Sequence, residues 1–130
     1  MQAVAITPLY AGILGLVLLA LSYRVSHFRL RFKVGIGDGG RPELAQAMRV
    51  QANFVEYVPL TLALVLMVEL TGHPAWLVHA LGGALTLGRV LHAWGFSRNP
   101  NRSPGRFAGI IATWLVLLAA SLILILDFLR

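Results

Sequence analysis

The chain has 130 residues, of which 58% are hydrophobic and 12% charged, with no cysteine. A soluble domain carries about 25% charged residues, so this composition argues against a soluble monomer, and the length allows one domain over 1–130. The formal net charge of +6, from 11 Lys+Arg against 5 Asp+Glu, is read as basic loops on one face of a membrane, not as a nucleic-acid surface, and the lack of Cys excludes disulfides and Cys-based metal sites.

Four apolar segments follow in chain order. The first, 4–23, has no Lys or Arg before it, unlike a secretory signal. Its roughly 20 residues can cross a ~30 Å hydrocarbon core as a helix. Pro8 falls in the opening turns, where a proline does least harm. A basic, Gly-rich stretch comes next, with Arg24, Arg29, Arg31, Lys33 and Arg41 around Gly35, Gly37, Asp38, Gly39 and Gly40. Those glycines predict a turn with positive φ angles and not a phosphate-binding loop, because no strand precedes them and no Gly-Lys-Ser/Thr follows. Pro42 and Glu43 open the second segment, 43–71. Gly72-His73-Pro74 is a short turn. The third segment covers 75–95, a loop containing Arg98 and Arg102 follows, and the fourth covers 106–129. Ala80, Ala84 and Gly88, and then Gly105 and Gly109, recur at four-residue spacing, which suits close helix approach in lipid.

The expected fold is therefore an all-α integral membrane bundle of four transmembrane helices. The first and third loops are basic, while the second carries no Lys, Arg, Asp or Glu. The positive-inside rule then puts both basic loops in the cytoplasm and both termini on the non-cytoplasmic side. Trp76 and Trp94 stand near opposite ends of the third segment, where interfacial anchors belong.

Ionisable groups inside lipid cost roughly 2.5–3.5 kcal/mol each on insertion scales, so those within the spans need a reason. Arg49, Asn53 and Glu56 are spaced i, i+4, i+7 and share one face of the second helix, with Gln51 and Tyr57 alongside. Arg89 and His92 are i, i+3 on the third helix, at similar depth from the same end. Glu56 with Arg89 is the expected ion pair. Two readings stay open: interhelical pairs that fix packing, or a polar cavity open to the cytoplasm. The surplus of arginine favours an anionic ligand, because guanidinium binds carboxylate in bidentate fashion. Glu69 and His79 read as interfacial or packed groups, and the four His show no metal-ligand spacing, so no metal is expected.

The run RVQANFVEYVPL, Arg49 to Leu60, resembles the signature of the MAPEG family, the membrane-associated proteins in eicosanoid and glutathione metabolism. Its form Arg-x-Gln-x-Asn-x-x-Glu-Tyr-x-Pro-Leu especially resembles the leukotriene-forming synthases of that family. GRVLHAWG, Gly88 to Gly95, resembles the third-helix motif of the family's glutathione transferases and prostaglandin E synthase. The resemblance implies a homotrimer with glutathione, as co-substrate, held at subunit interfaces near the cytoplasmic face. It implies Arg49, Gln51, Asn53, Glu56 and Tyr57 on helix two and Arg89 and His92 on helix three as glutathione contacts. Arg102, followed by Ser103, resembles the family's catalytic arginine; Arg98 and Arg106 are rivals, and Arg24 or Arg29 resembles a further arginine at the end of helix one. The chain departs from the pattern at Phe96, where many members place a Tyr.

The implied function is a membrane glutathione transferase or peroxidase, in a bacterial inner membrane, acting on lipophilic electrophiles or lipid peroxides among membrane lipids. An arginine beside a thiol favours thiolate over its free pKa of about 8.5. The alternative is a non-catalytic lipid- or partner-binding protein on the same scaffold, which Phe96 favours. A small transporter is a third reading, opposed by the single deep acidic residue and the lack of a broken-helix pair. No nucleic-acid partner is expected.

Overall fold

A computed structural model describes residues 4–130; the first three residues of the 1–130 domain lie outside it. The described chain is all-helical. Helix α1 is Thr7–Phe32, α2 is Pro42–Leu70, α3 is Ala75–Arg98 and α4 is Pro104–Leu129.

The helices run up, down, up and down, and side-chain bonds at each end show it. At one end, Glu69 near the close of α2 accepts from the backbone N–H groups of Ala5, Ile6 and Thr7 at 2.7–2.8 Å. Tyr10 of α1 meets His79 of α3 at 2.9 Å, and His73, just past α2, meets Asp127 of α4 at 2.7 Å. At the other end, Gln51 of α2 donates to Ser22 of α1 at 2.8 Å. There Arg24 of α1 donates to Ser97 of α3, and Gln46 of α2 donates to the carbonyl of Phe96.

Three helices, α1, α2 and α4, are long and apolar enough to cross a membrane. Each has 26 or more residues, or at least ~39 Å at 1.5 Å per residue. Their outer faces present Leu16, Leu19, Leu60, Leu115 and Leu118 at half exposure or more, which only lipid or another apolar surface tolerates over such an area. Helix α3 is less apolar because it is the inner helix. Arg89, His92, Thr86 and three glycines, Gly82, Gly88 and Gly95, are all buried along it.

The helices differ from the sequence segments mainly at the loop ends, where α1, α3 and α4 reach further. Helix α1 continues past Tyr23 to Phe32, so Arg24, Arg29 and Arg31 belong to a helix and not to the loop. Charge ends an apolar span without ending a helix: Arg24 stacks on Phe28 and Arg31 on Phe32, which shields their stems. The helix stops at Lys33, in the left-handed conformation, with Val34 N–H returning to the carbonyl of Arg29 at 3.0 Å. In the following turn Gly37, Gly39 and Gly40 adopt positive φ, as their spacing suggests, whereas Gly35 does not.

Helices α3 and α4 cross where neither has a side chain. A Cβ on Gly109 would overlap the carbonyl oxygen of Gly88, and one on Gly88 would sit 2.9 Å from Cβ of Ala112. Of the small residues picked out by spacing, Gly88 and Gly109 form this contact, while Ala80 and Ala84 are exposed. Without a hydrophobic drive between helices in lipid, such close van der Waals approach is what holds them together. The nearby Thr113 hydroxyl donates to the Gly109 carbonyl at 2.8 Å, so it needs no outside partner.

Candidate functional site

The crossing fixes how α3, α4 and the loop between them meet α2, and there the chain is hollow. A cavity of about 830 Å³ is lined by Asn53 and Tyr57 of α2, His92 of α3, Arg102 and Ser103 of the loop, and Pro104, Arg106, Phe107, Ile110 and Trp114 of α4. Arg102, Ser103 and Arg106 stand toward the loop, and His92, Asn53 and Tyr57 lie deeper along α3 and α2. From Pro104 to Trp114 the α4 wall runs ~15 Å deeper and turns apolar. Among the described residues no acidic side chain lines it.

The deeper polar groups are held from behind by Arg89. This residue is fully buried. Its Nη2 donates to Oδ1 of Asn53 at 2.7 Å and lies 3.4 Å from Nδ1 of His92. Its guanidinium packs against the rings of Phe54 and Tyr57, with centroid distances of 5.8 and 5.9 Å. Nε and Nη1 have no hydrogen-bond partner among the described residues. Arg89 therefore orients two cavity-lining side chains and places a positive charge at their back. A buried cation without a hydrogen-bonded carboxylate costs free energy.

The other wall is set by the start of α4. Ser103 caps the helix, its Oγ accepting from the N–H of Arg106 at 3.2 Å. Arg106 lies over the buried ring of Phe96 at 3.9 Å, and Nη1 donates to the carbonyls of Pro100 and Asn101 at 3.2 Å each. Gly95 allows this: a Cβ there would stand 2.6 Å from the N of Arg106 and 2.8 Å from Oγ of Ser103. The first turn of α4 has no acidic residue, so the positive end of its dipole adds to Arg102 and Arg106. The arrangement suits an amphipathic ligand with an anionic head and an apolar partner.

Residues 7–126, nearly the whole described bundle, match the MAPEG family. The chain belongs to the MAPEG family. It is 39% identical over 113 residues to the inner membrane protein YecN of Escherichia coli strain K12, a match covering 87% of this chain and 85% of the relative. The same figures hold for YecN of Escherichia coli O6:H1 strain CFT073. With its apolar helices, this MAPEG chain is an integral membrane protein.

The site residues anticipated from sequence fall into three groups in this MAPEG protein. Asn53, Tyr57, His92 and Arg102 share the cavity. Arg89 lies behind it, through Asn53 and His92. The rest point elsewhere: Gln51 is tied to Ser22, and Arg49 and Glu56 form an exposed pair at 3.6 Å on the outer face of α2. The expected Glu56–Arg89 ion pair is not made. At 100° per residue, Glu56 is roughly 60° around α2 from Asn53 and only about 20° from Arg49. Asn53 thus faces α3 and takes the guanidinium, while Glu56 stays with Arg49. Of the two arginines at the end of α1, Arg24 reaches α3 at Ser97, whereas Arg29 is bound to the carbonyl of Gly37 at 2.9 Å. Spacing did not single out Phe107, Ile110 and Trp114 as lining residues. Their i, i+3, i+7 pattern just after a capped helix start was the available signal.

Proposed function

We propose that this MAPEG protein is a glutathione-dependent transferase or peroxidase that works on lipophilic substrates from within an inner membrane, the location named for YecN. The single observation that carries the reading is the cavity itself: two arginines at its loop end, a histidine, an amide and a phenol deeper along α3 and α2, and an apolar wall on α4 facing them.

The chemistry follows from that polarity. Glutathione brings two carboxylates, an ammonium and a thiol. In this reading Asn53, His92 and Tyr57 hold its polar backbone, with Arg89 supplying charge from behind. Arg102 stabilises the thiolate, because a guanidinium nearby favours the ionised sulfur. The thiolate attacks an electrophilic carbon arriving along Phe107, Ile110 and Trp114; an S–C bond forms and the leaving group departs with its electron pair. With a lipid hydroperoxide, the thiolate attacks oxygen and the O–O bond breaks. The products are an alcohol and a sulfenic acid, and a second glutathione converts the latter to disulfide and water.

The exposed Arg49–Glu56 pair supports completion of the site by a neighbouring copy in a homotrimer. That pair faces away from the chain's own cavity, and an ion pair on a lipid-level surface gains most when another subunit covers it. The basic loops would face the cytoplasm, where glutathione is supplied, with both termini opposite.

Phe96 favours a second reading, a lipid- or partner-binding protein without turnover, since a buried phenyl ring stands where a hydroxyl could have met the ligand. Purified protein in lipid nanodiscs decides between them. The transferase reading expects conjugation of a chlorodinitrobenzene, or loss of a lipid hydroperoxide, in the presence of glutathione. It also expects Arg102→Ala to abolish turnover without changing the oligomer. Glutathione binding with neither reaction would select the second reading.

A further inference from the structure

The end of α1 and the loop after it carry charge that the cavity does not use. Arg29 is committed to the loop, donating to the carbonyls of Val34 and Gly37 at 3.5 and 2.9 Å. Asp38 is committed too: Oδ1 accepts from the N–H of Gly40 at 2.8 Å, and its carbonyl accepts from the N–H of Arg41 at 2.9 Å. This turn packs so closely that a Cβ at Gly39 would stand 2.6 Å from Cγ2 of Val34. The chain doubles back and sets Arg41, the residue before α2, beside the last turn of α1. There Arg31 and Arg41 both lie against the ring of Phe32, their guanidinium carbons 5.6 and 4.9 Å from its centroid. Like charges held this close repel. Among the described residues neither guanidinium has a hydrogen bond or an ion pair, and Glu43 in the first turn of α2 pairs with neither. Below them runs a largely apolar lane. Leu9, Leu16, Tyr23 and Leu30 are seven residues apart, so they drift only about 20° per step around α1. Their exposure is 54%, 69%, 71% and 81%. Helices of 24 to 29 residues are ~36–43 Å long, against ~40–45 Å for a bilayer with its headgroup layers. The arginine pair therefore sits at headgroup depth, and the lane descends from it among acyl chains.

We propose that Arg31 and Arg41, braced on Phe32, bind the phosphate of an anionic glycerophospholipid whose acyl chain lies along the lane from Leu30 to Leu9. Two guanidinium groups offer planar donor edges to the phosphate oxygens and are neutralised by them. Exposed Lys33, beside them at the close of α1, adds to the positive field. A zwitterionic lipid would bring its own ammonium into that field, so the site selects net negative charge. Free phosphate could meet the arginines but would leave the lane uncovered, which is why the occupant is a lipid. The site is separate from the cavity, whose lining belongs to α2, α3, α4 and the loop before α4. It stands or falls apart from the glutathione reading.

The test places the full chain in nanodiscs of equal parts phosphatidylglycerol and phosphatidylcholine, releases it into mild detergent and weighs the retained lipids by native mass spectrometry. Wild type should keep phosphatidylglycerol in preference to phosphatidylcholine. Arg31→Gln and Arg41→Gln should each cut that preference about fivefold, the weight of one basic residue near a charged leaflet. Both positions are exposed, so neither change should disturb the fold. Arg130→Gln removes the same charge at the opposite end of the bundle and should leave the preference unchanged. Phe32→Leu keeps every charge but removes the brace, and should weaken the preference as well. Millimolar inorganic phosphate should not displace the lipid. Equal retention of the two lipids by wild type overturns the proposal. So does a loss in Arg130→Gln as large as in Arg31→Gln, since net charge alone would then be at work. Displacement by inorganic phosphate overturns it too, because the lane would contribute nothing.

Discussion

Substituting Gly109→Ala should damage the site without touching it. The added Cβ would stand 2.6 Å from both the N and the Cβ of His92, and closer still to the carbonyl oxygen of Gly88. Ordinary contact begins at 3.4 Å, so α3 and α4 must separate by at least about 0.8 Å at the crossing. The atoms opposed are backbone and a Cβ, which cannot swing aside. Overpacking of this kind costs about 1–3 kcal/mol. The same displacement carries His92 away from Arg102 and Arg106, and misplacement by ~1 Å can cost on the order of 100-fold in rate. The assays are thermal unfolding in nanodiscs and glutathione-dependent turnover, with Gly83→Ala as the control. A Cβ at Gly83 meets only the Tyr10 hydroxyl at 3.8 Å, and it should change stability by less than about 0.5 kcal/mol. If Gly109→Ala unfolds and turns over like the Gly83 variant, the helix crossing does not set the site geometry and the reasoning fails.

Three other perturbations follow from the structure. Glu69→Gln removes a charge and one acceptor from the three N–H groups at the start of α1, at a cost of about 1–2 kcal/mol; amide exchange at Thr7 should quicken, and unchanged protection would contradict the cap. Arg89→Met keeps volume but deletes the charge behind Asn53 and His92. It should leave the fold within about 1 kcal/mol of wild type while weakening glutathione binding about tenfold, and unaltered affinity would show the buried cation to be purely structural. For topology, Ile36→Cys in this cysteine-free chain places a thiol on a 92% exposed position of the first loop. It should react with a membrane-impermeant maleimide only after the cytoplasmic face is opened, and labelling of intact cells would reverse the orientation.

Helix number and the general place of the polar stripe were legible in sequence because both rest on periodicity. Apolar length reports a helix in lipid, and i, i+4, i+7 reports a shared face. The partner of that face was not legible. Arg49, Asn53 and Glu56 do lie on one side of α2, but the side spans roughly 60°, enough to divide it between α3 and the open surface. Which edge Arg89 meets depends on the packing rotation of two helices, and the neighbouring Gly88, about 100° around α3, is pinned against Gly109 of α4. Glu69 was legible only as a charge near an interface, because the N–H groups it caps are more than 60 residues away in the chain. A hint existed: α1 starts with no acidic residue in its first turn and no capping side chain of its own. Arg106 was visible as a rival to Arg102, but its seat on Phe96 joins the end of α3 to the start of α4 and emerges only when the loop closes.

Titrating glutathione into the wild-type protein in nanodiscs, by calorimetry in buffers of different ionisation enthalpy near neutral pH, addresses the central claim most directly. The account predicts saturable binding in the millimolar range or tighter, with release of a proton as the thiol ionises beside Arg102. Absence of binding at millimolar glutathione would contradict it, leaving Arg89, Arg102 and Arg106 as parts of a helical membrane bundle with no anionic ligand.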